Sequence, residues 1–241
     1  MCTVTYIPTG NNTFIFTSNR DEAPKRSATG IVNKTIDGKS LLFPQDAQAK
    51  GTWIAISDKN QLVCILNGAF IKHKHVPPYR LSRGIMALDF FNYENAIDFF
   101  EQVNFVGIEP FTMIIFDNGA LFEFRWDETK KHIKKLETSE QYIWASCTLY
   151  NEEWQVKRKK WFSDWNRQNK TIHQNAVLDF HKNGGEGNPN FDVVMNYNNI
   201  VRTTSITSIV KREDQIKMRF EDMLDGQILE SKLLLTSFLR E

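Results

Sequence analysis

Pairs of short β-type segments joined by tight turns recur along the chain, and this pattern limits the possible folds more than any other feature. "GTWIAIS", the turn "DKN" and "QLVCILN" predict one hairpin, and "FTMIIF", "DNG" and "ALFEFRW" predict another. The strands of the first of these hairpins are apolar on both faces, which is typical of strands covered on both sides. We therefore expect antiparallel sheet with helices packed over its faces.

Helical spacing of apolar residues appears between the hairpins. It predicts helices over residues 80–92 and 93–103, a helix whose aromatic side chains lie near one face between Tyr150 and Trp165, and a short helix that ends at Gly184. The basic run "KRKK" at 157–160 lies largely opposite those aromatic residues, so we interpret it as a solvated face. Two strands at "HIKKLE" and "QYIWAS" and a late hairpin from "TTSITSIVK" to "QIKMRFEDM" complete the expected elements. Periodicity alone allows one covered sheet or two stacked sheets between helical layers.

Charge and composition narrow the class of protein. The 241 residues carry 30 Lys and Arg against 29 Asp and Glu, a formal charge of +1, which argues against a general electrostatic attraction to nucleic acid. No apolar run is long enough to span a bilayer, and the start lacks a basic segment followed by an apolar one. We expect a single domain over residues 1–241, a reduced cytoplasmic location, no nucleic-acid partner and no membrane span.

The opening "MCTVTYIPTGNNTFIFTSNRDE" predicts a hairpin with "PTGNN" as a five-residue turn. If Ile7 faces Thr13, Cys2 faces Ser18. The side chains at even positions then share the more apolar face, and Asn19, Arg20 and Asp21 extend past the partner strand. A cation and a carboxylate would thereby lie next to a thiol at the start of the chain.

Cys2 is the candidate nucleophile. Its size permits removal of Met1, which would leave Cys2 with a free α-amine whose reference pKa of about 7.7–8 suits a base near neutrality. One residue would then supply both nucleophile and base. The alternative is that a small cysteine near the terminus only fills space.

Arg20, Asp21 and Asn67 are candidate partners of Cys2. Arg20 is expected to lower the pKa of the thiol, Asp21 to orient the amine, and Asn67, which ends a buried strand, to donate to an oxyanion. A structural ion pair between Arg20 and Asp21, and an Asn-Gly turn that only ends a strand, are the alternatives.

The motifs "MCT…SNRDE", "GTWIAIS", "LNGAF" and "PYRLSRG", followed by "TLY" and "VRTTSIT", resemble the NRDE family of transport-and-Golgi-organisation relatives. The likeness covers most of the chain, and an N-terminal Met-Cys with the NRDE tetrapeptide is specific. That family resembles the N-terminal nucleophile hydrolases, especially the choloylglycine and penicillin-V acylase branch. The resemblance implies an α+β fold, a four-layer αββα sandwich of two antiparallel sheets.

By the same resemblance, the expected activity is hydrolysis of a non-peptide amide or related acyl bond of a small molecule, with no cofactor. Cys2 resembles the nucleophile, Asp21 the amine-orienting carboxylate, Arg20 its neighbouring arginine, Asn67 the first oxyanion asparagine, and Arg202 the late active-site arginine. One departure is that Ser146 and Cys147 stand where the acylases have a second asparagine. The loss of one oxyanion donor can cost about 100- to 1000-fold in rate.

Two further possibilities remain open. Eukaryotic members of the family are associated with Golgi organisation and haem handling, so the alternative function is a non-catalytic protein that binds haem or a lipid-like acyl ligand on the same fold. His73 and His75 would share a strand face, but the sequence offers no third metal ligand nearby. We therefore expect no metal site.

Overall fold

The computed structural model describes residues 2–236, which form two seven-stranded antiparallel sheets. The strands are β1 (Cys2–Gly10), β2 (Thr13–Glu22), β3 (Ala28–Ile36), β4 (Lys39–Asp46), β5 (Ile54–Ser57), β6 (Gln61–Asn67), β7 (Phe111–Asp117), β8 (Ala120–Trp126), β9 (Lys131–Leu136), β10 (Tyr142–Ala145), β11 (Asn196–Tyr197), β12 (Val201–Lys211), β13 (Gln215–Asp222) and β14 (Ile228–Leu234). The helices are α1 (Arg83–Asp89), followed by a 3₁₀ helix (Phe90–Asn92), then α2 (Ala96–Gln102), α3 (Glu152–Gln168) and α4 (Gln174–Asn183).

The two sheets stack face to face between helical layers. The first sheet has the order β10-β1-β2-β12-β13-β14, with β11 also paired to β12, and the second runs in sequence order from β3 to β9. Helices α3 and α4 cover the first sheet through β10, β2 and β12, and α1 covers β5 and β6 of the second. On α2, the ring of Phe100 stacks on Phe124 of β8, with 4.5 Å between centroids. The predicted four-layer αββα architecture is confirmed.

Local sequence signals account for the helix starts. The side chain of Ser82 accepts a hydrogen bond from the N–H of Ile85 at the start of α1, and that of Asn95 caps α2 in the same way. Such caps satisfy backbone donors that have no partner within the helix. The helix predicted over residues 80–92 is shorter at its start than expected because Ser82 caps it there.

The first hairpin has longer strands and a shorter turn than predicted. β1 extends to Gly10 and β2 begins at Thr13, so only Asn11 and Asn12 connect them. Asn12 has a left-handed φ of 56°, a conformation that two-residue hairpin turns favour. "PTG" therefore belongs to the strand, with a register irregularity between Pro8 and Gly10.

The short turn changes which residues face each other. Cys2 pairs with Arg20 and Val4 pairs with Ser18, so the predicted pairing of Cys2 with Ser18 is wrong. The shift is by an even number of residues, and side chains alternate along a strand, so the predicted inner face is unchanged. The larger core contains the expected set: Cys2, Val4, Tyr6, Phe14 and Phe16.

Candidate active site

Cys2 borders a cavity of about 310 Å³ that both sheets line. Cys2 is 1% exposed. Its register partner Arg20 also borders the cavity, as does Asn67 from the second sheet. Asp21 and Arg202 are not among the described residues that line it. The structure thus brings together three of the five candidate residues around one cavity.

Arg20 is buried and makes a set of polar contacts. Its Nη2 donates to Asp46 Oδ2 at 2.6 Å, and its Nη1 donates to Thr204 Oγ1 at 3.2 Å and to the carbonyl oxygen of Arg26 at 2.5 Å. The guanidinium carbon lies 4.7 Å from the ring centroid of Trp53. A structural ion pair does exist here, but its carboxylate is Asp46 on the other sheet and not Asp21.

Asp46 lies at the end of β4, and its carboxylate accepts hydrogen bonds from two arginines and two backbone N–H groups. Its Oδ2 also accepts from Arg26 at 2.7 Å, and its Oδ1 accepts from the backbone N–H groups of Gln48 and Ala49 at 3.0 and 2.8 Å. Burial acts to raise the pKa of Asp46, but these N–H groups and the two arginines together hold the pKa below its usual value. The side chain is therefore an ionised carboxylate.

The pKa of the Cys2 thiol is raised, contrary to the sequence-based expectation. Burial is the largest cause, since it disfavours the charged thiolate. The Arg20 guanidinium acts in the opposite direction but is outweighed. The expectation was wrong because it did not include the desolvation of a fully buried thiol. A thiol in this state needs a base to activate it.

Asp21 lies on the opposite face of β2 from the Cys2 side chain. Its Oδ2 accepts from the hydroxyl of Tyr150 at 2.7 Å, and its Oδ1 accepts from the hydroxyl of Thr203 at 2.7 Å. Burial raises the pKa of this carboxyl, and the two hydroxyl hydrogen bonds oppose the rise. Tyr150 was predicted as the first aromatic residue of the following helix, but it lies before α3 and is fully buried.

Arg158 supports Tyr150 from α3. Its guanidinium carbon lies 3.5 Å from the Tyr150 ring centroid, and its Nε donates to Thr3 Oγ1 at 3.1 Å. Arg158 is fully buried, whereas the neighbouring Lys159 and Lys160 are exposed. The interpretation of "KRKK" as a solvated face is therefore wrong at this position, because a cation–π contact and backbone acceptors compensate the burial of the charge.

Asn67 ends β6 and is held through its backbone. The hydroxyl of Ser146 donates to the Asn67 carbonyl oxygen at 2.8 Å, and the Ser146 N–H donates to the Cys2 carbonyl oxygen at 3.0 Å. Ser146, which stands near the expected second asparagine, thus links the backbones of the two residues across the sheets. The next residue, Gly68, has a left-handed φ of 82°, and a β-carbon there would lie 2.4 Å from the Cys147 sulfur.

Arg202 is the second residue of β12, where its register partner is Glu22. The register then shifts between Thr203 and Ser205, so that the hydroxyl of the extra residue, Thr204, meets Arg20. Arg202 itself does not border the Cys2 cavity. The structure therefore does not place it with the other candidates.

Asn19, the first residue of the NRDE tetrapeptide, holds α4 against β2, a role that the sequence did not indicate. Its Nδ2 donates to the carbonyl oxygens of His181 and Val193 at 2.9 and 2.8 Å, and its Oδ1 lies 2.5 Å from His181 Nδ1. These bonds tie α4 to β2. Residues 19 and 21 face α3 and α4, whereas residues 20 and 22 face the cavity between the sheets. The tetrapeptide therefore makes contacts on both faces of the sheet.

His73 and His75 share one acceptor, Glu109 Oε1, at 3.0 and 3.1 Å. Glu109 also pairs with Arg83 at 2.9 Å. Glu109 and Arg83 both border the Cys2 cavity. Within residues 2–236, no group of three or more His, Cys, Asp or Glu side chains is arranged to hold a metal ion. In the same range, no helix is both long and apolar enough to cross a membrane.

A family model described as Transport and Golgi organisation 2 matches residues 1–217. The chain belongs to this family. The predicted family is thus confirmed, and the match includes every candidate residue named above. A sequence comparison with curated proteins finds no match.

Solved structures with the same fold are N-terminal nucleophile hydrolases. A Caenorhabditis elegans ortholog of N-acylethanolamine-hydrolyzing acid amidase has a TM-score of 0.59 at 10% identity, over 87% of this chain and 92% of that chain. A mutant of the conjugated bile acid hydrolase from Clostridium perfringens has a TM-score of 0.52 at 11% identity, over 97% of this chain and 92% of that chain. At this identity the likeness establishes the fold that this family member shares with them.

Proposed function

We propose that this family member is an N-terminal cysteine hydrolase that cleaves a non-peptide amide or related acyl bond in a small molecule. The observation that carries the proposal is that Cys2 and Asn67, which come from different sheets, border one cavity. The Ser146 contacts fix the two backbones relative to each other. The hydrolase fold of the structural neighbours supports the same conclusion.

The α-amine of Cys2, freed by removal of Met1, is the proposed base. Because burial raises the pKa of the thiol, the sulfur is protonated at neutral pH and needs a group that accepts its proton. An α-amine has a reference pKa of about 7.7–8. Asp21 would orient this amine, since a carboxylate that accepts from two hydroxyls still has free acceptor sites.

In the proposed reaction, the amine takes the thiol proton and the sulfur bonds to the substrate carbonyl carbon. The carbonyl electron pair moves to the oxygen, where the Asn67 amide and a backbone N–H stabilise the negative charge. The protonated amine then gives its proton to the leaving nitrogen, the C–N bond breaks, and a thioester remains. Water, deprotonated by the same amine, attacks the thioester, releases the acid and restores the thiol. Arg20 fixes the geometry around Cys2, and Arg202 has no step in this scheme.

Acylation by p-nitrophenyl acetate tests the proposal. Intact mass should show that Met1 is removed, and peptide mapping should place one acetyl group on Cys2. Cys2→Ala should abolish this acylation, while Cys64→Ala and Cys147→Ala should retain it. Asn67→Ala should slow it by about 100- to 1000-fold.

Retention of Met1 in the native protein, or acetylation that persists in Cys2→Ala, would contradict the proposal. A non-catalytic protein on the same fold would instead bind haem or a lipid-like acyl ligand without forming an acyl-enzyme. Haem titration, followed as a saturable spectral shift, distinguishes that alternative.

A further inference from the structure

The charged side chains that line the Cys2 cavity balance one another. Three arginines and three carboxylates border it, and every one of them is in an ion pair. These residues are Arg20, Arg26, Arg83, Glu22, Asp46 and Glu109. The cavity therefore has no formal net charge from these six groups.

Asp46 is the centre of the larger of two ion-pair networks, which contains Arg20, Arg26, Asp46 and Glu22. Its Oδ2 receives both Arg20 and Arg26, at 2.6 and 2.7 Å, and its Oδ1 receives two backbone N–H groups. Arg26 also pairs with Glu22 at 3.0 Å. The Asp46 side chain is 6% exposed and that of Arg20 is 5% exposed, so this is a largely desolvated pair in which an unmatched charge would be costly.

The third arginine is neutralised separately. Arg83 Nη2 lies 2.9 Å from Glu109 Oε2, and its Nη1 donates to the carbonyl oxygen of Pro110 at 3.1 Å. Each of the three arginines, Arg20, Arg26 and Arg83, thus has an acidic partner.

Two uncharged side chains at the cavity also have hydrogen-bond donors without a partner among the residues described. The indole N–H of Trp53 has no partner in the described part of the chain, although Trp53 is only 6% exposed and lines the cavity. The side-chain amide of Asn67 likewise makes none of the hydrogen bonds found among residues 2–236. Trp53 thus offers a buried, uncharged donor that suits a carbonyl oxygen, while the three arginines, already paired, do not offset the desolvation of an anionic group.

We infer that the cavity accepts an uncharged amide or ester and rejects its anionic counterpart, and that Asp46 sets this preference by occupying the guanidinium groups of Arg20 and Arg26. This inference concerns the substrate of the proposed hydrolase and rests on that function. An anionic substrate would have to compete with Asp46 for the two arginines or enter the cavity without a cationic partner. The lowered pKa of Asp46 supports this, since the carboxylate remains charged well below neutral pH.

A matched pair of compounds tests the inference. N-phenylacetylglycinamide and N-phenylacetylglycine have almost the same shape and differ by a carboxamide against a carboxylate. The measurement is the concentration of each that halves the rate at which iodoacetamide alkylates Cys2, because alkylation requires an accessible thiol and no hydrolysis. In the wild-type protein we expect the neutral compound to protect Cys2 at a concentration at least tenfold lower.

Asp46→Asn should change this selectivity. The substitution keeps the shape of the side chain but removes the carboxylate partner of Arg20, while Arg26 still pairs with Glu22. The cavity thereby gains one net positive charge, so the anionic compound should protect as well as the neutral one or better. Asp164→Asn is the matched control: Asp164 lies on α3 in exposed pairs with Lys160 and Arg167, and the selectivity should not change.

Equal protection by both compounds in the wild type, stronger protection by the anion, or no protection by either would overturn the inference. So would an unchanged ratio in Asp46→Asn whose circular dichroism matches that of the wild type. None of these outcomes affects the acetylation of Cys2 by p-nitrophenyl acetate, which tests the hydrolase function. Failure of that acetylation with the protection ratio intact would reject the hydrolase and leave a binding site for neutral ligands.

Discussion

Acidification should destabilise the protein through one buried histidine, His181. The ring lies on α4 with Nε2 2.8 Å from Thr5 Oγ1 and Nδ1 2.5 Å from Asn19 Oδ1. The Asn19 amide nitrogen donates to two carbonyl oxygens, so its oxygen faces the ring and Nδ1 carries the proton. Burial lowers the pKa of His181 from 6.5 to about 3, so the folded protein keeps the ring neutral where the unfolded chain would bind a proton.

The direction and size of the effect follow from this difference. Because the folded-state pKa lies below the unfolded value, the contribution of His181 to stability is complete above about pH 6.5 and is lost as the pH falls toward 3. Each pH unit in that window corresponds to about 1.36 kcal/mol. Between pH 7.5 and pH 5, His181 alone should therefore lower the free energy of unfolding by about 2 kcal/mol.

Urea unfolding at a series of pH values measures this quantity. The wild type should lose about 2 kcal/mol more than His181→Gln over the interval, because the variant has no ring to protonate. Asp21 works in the opposite direction: burial raises its pKa, so the folded state binds its proton more readily and stability from this group falls as the pH rises. Comparison of the two proteins cancels that contribution.

An NMR titration of the native protein provides the decisive control if His181→Gln folds poorly. The His181 ring resonances should not shift between pH 7.5 and pH 5 in the folded protein, but should titrate near the reference value of about 6.5 in concentrated urea. A native His181 that titrates with that ordinary pKa would refute the reasoning.

Two further changes test contacts around the site. Tyr150→Phe removes the hydroxyl that donates to a buried carboxylate and should cost about 1.5–3 kcal/mol in urea unfolding. Tyr142→Phe, which breaks two exposed hydrogen bonds with the backbone of Glu137, should cost about 1 kcal/mol or less, and equal losses would contradict the assignment. Gly68→Ala would place a β-carbon 2.4 Å from the Cys147 sulfur at a φ of +82° and should cost about 2–5 kcal/mol. Gly38→Ala, at φ +70° with open space around it, should cost only the backbone contribution of about 1–2 kcal/mol, and an equal effect at both sites would show that the contact is unimportant.

Most hairpins and helices could be predicted from the sequence because their signals are local. The exceptions are β3, β4, β11 and β14, which were not predicted. β4 contains Pro44, and a proline argues against a strand in the interior of a sheet. β4 nevertheless lies between β3 and β5, a placement that depends on tertiary contacts.

The candidate site was predictable to the extent that its members share a strand face or a motif. Cys2 and Arg20 are neighbours by hairpin pairing, and the family resemblance placed Asn67 with them; all three border one cavity. Asp46, which pairs with Arg20, is distant in sequence and follows no local pattern. Tyr150 belongs to the "TLY" motif, but no local pattern indicates that its hydroxyl reaches Asp21.

The amino-acid sequence by itself determined which side chains of the first hairpin face inward, since the two-residue alternation of a strand survives even a shift of register. Only the tertiary structure decided the electrostatic state of those side chains. Arg20 is neutralised by Asp46, which the second sheet supplies, and the thiol of Cys2 is desolvated because the two sheets close over it. Charge and hydration depend on which atoms from the whole chain surround a group, and that surrounding exists only once both sheets have packed.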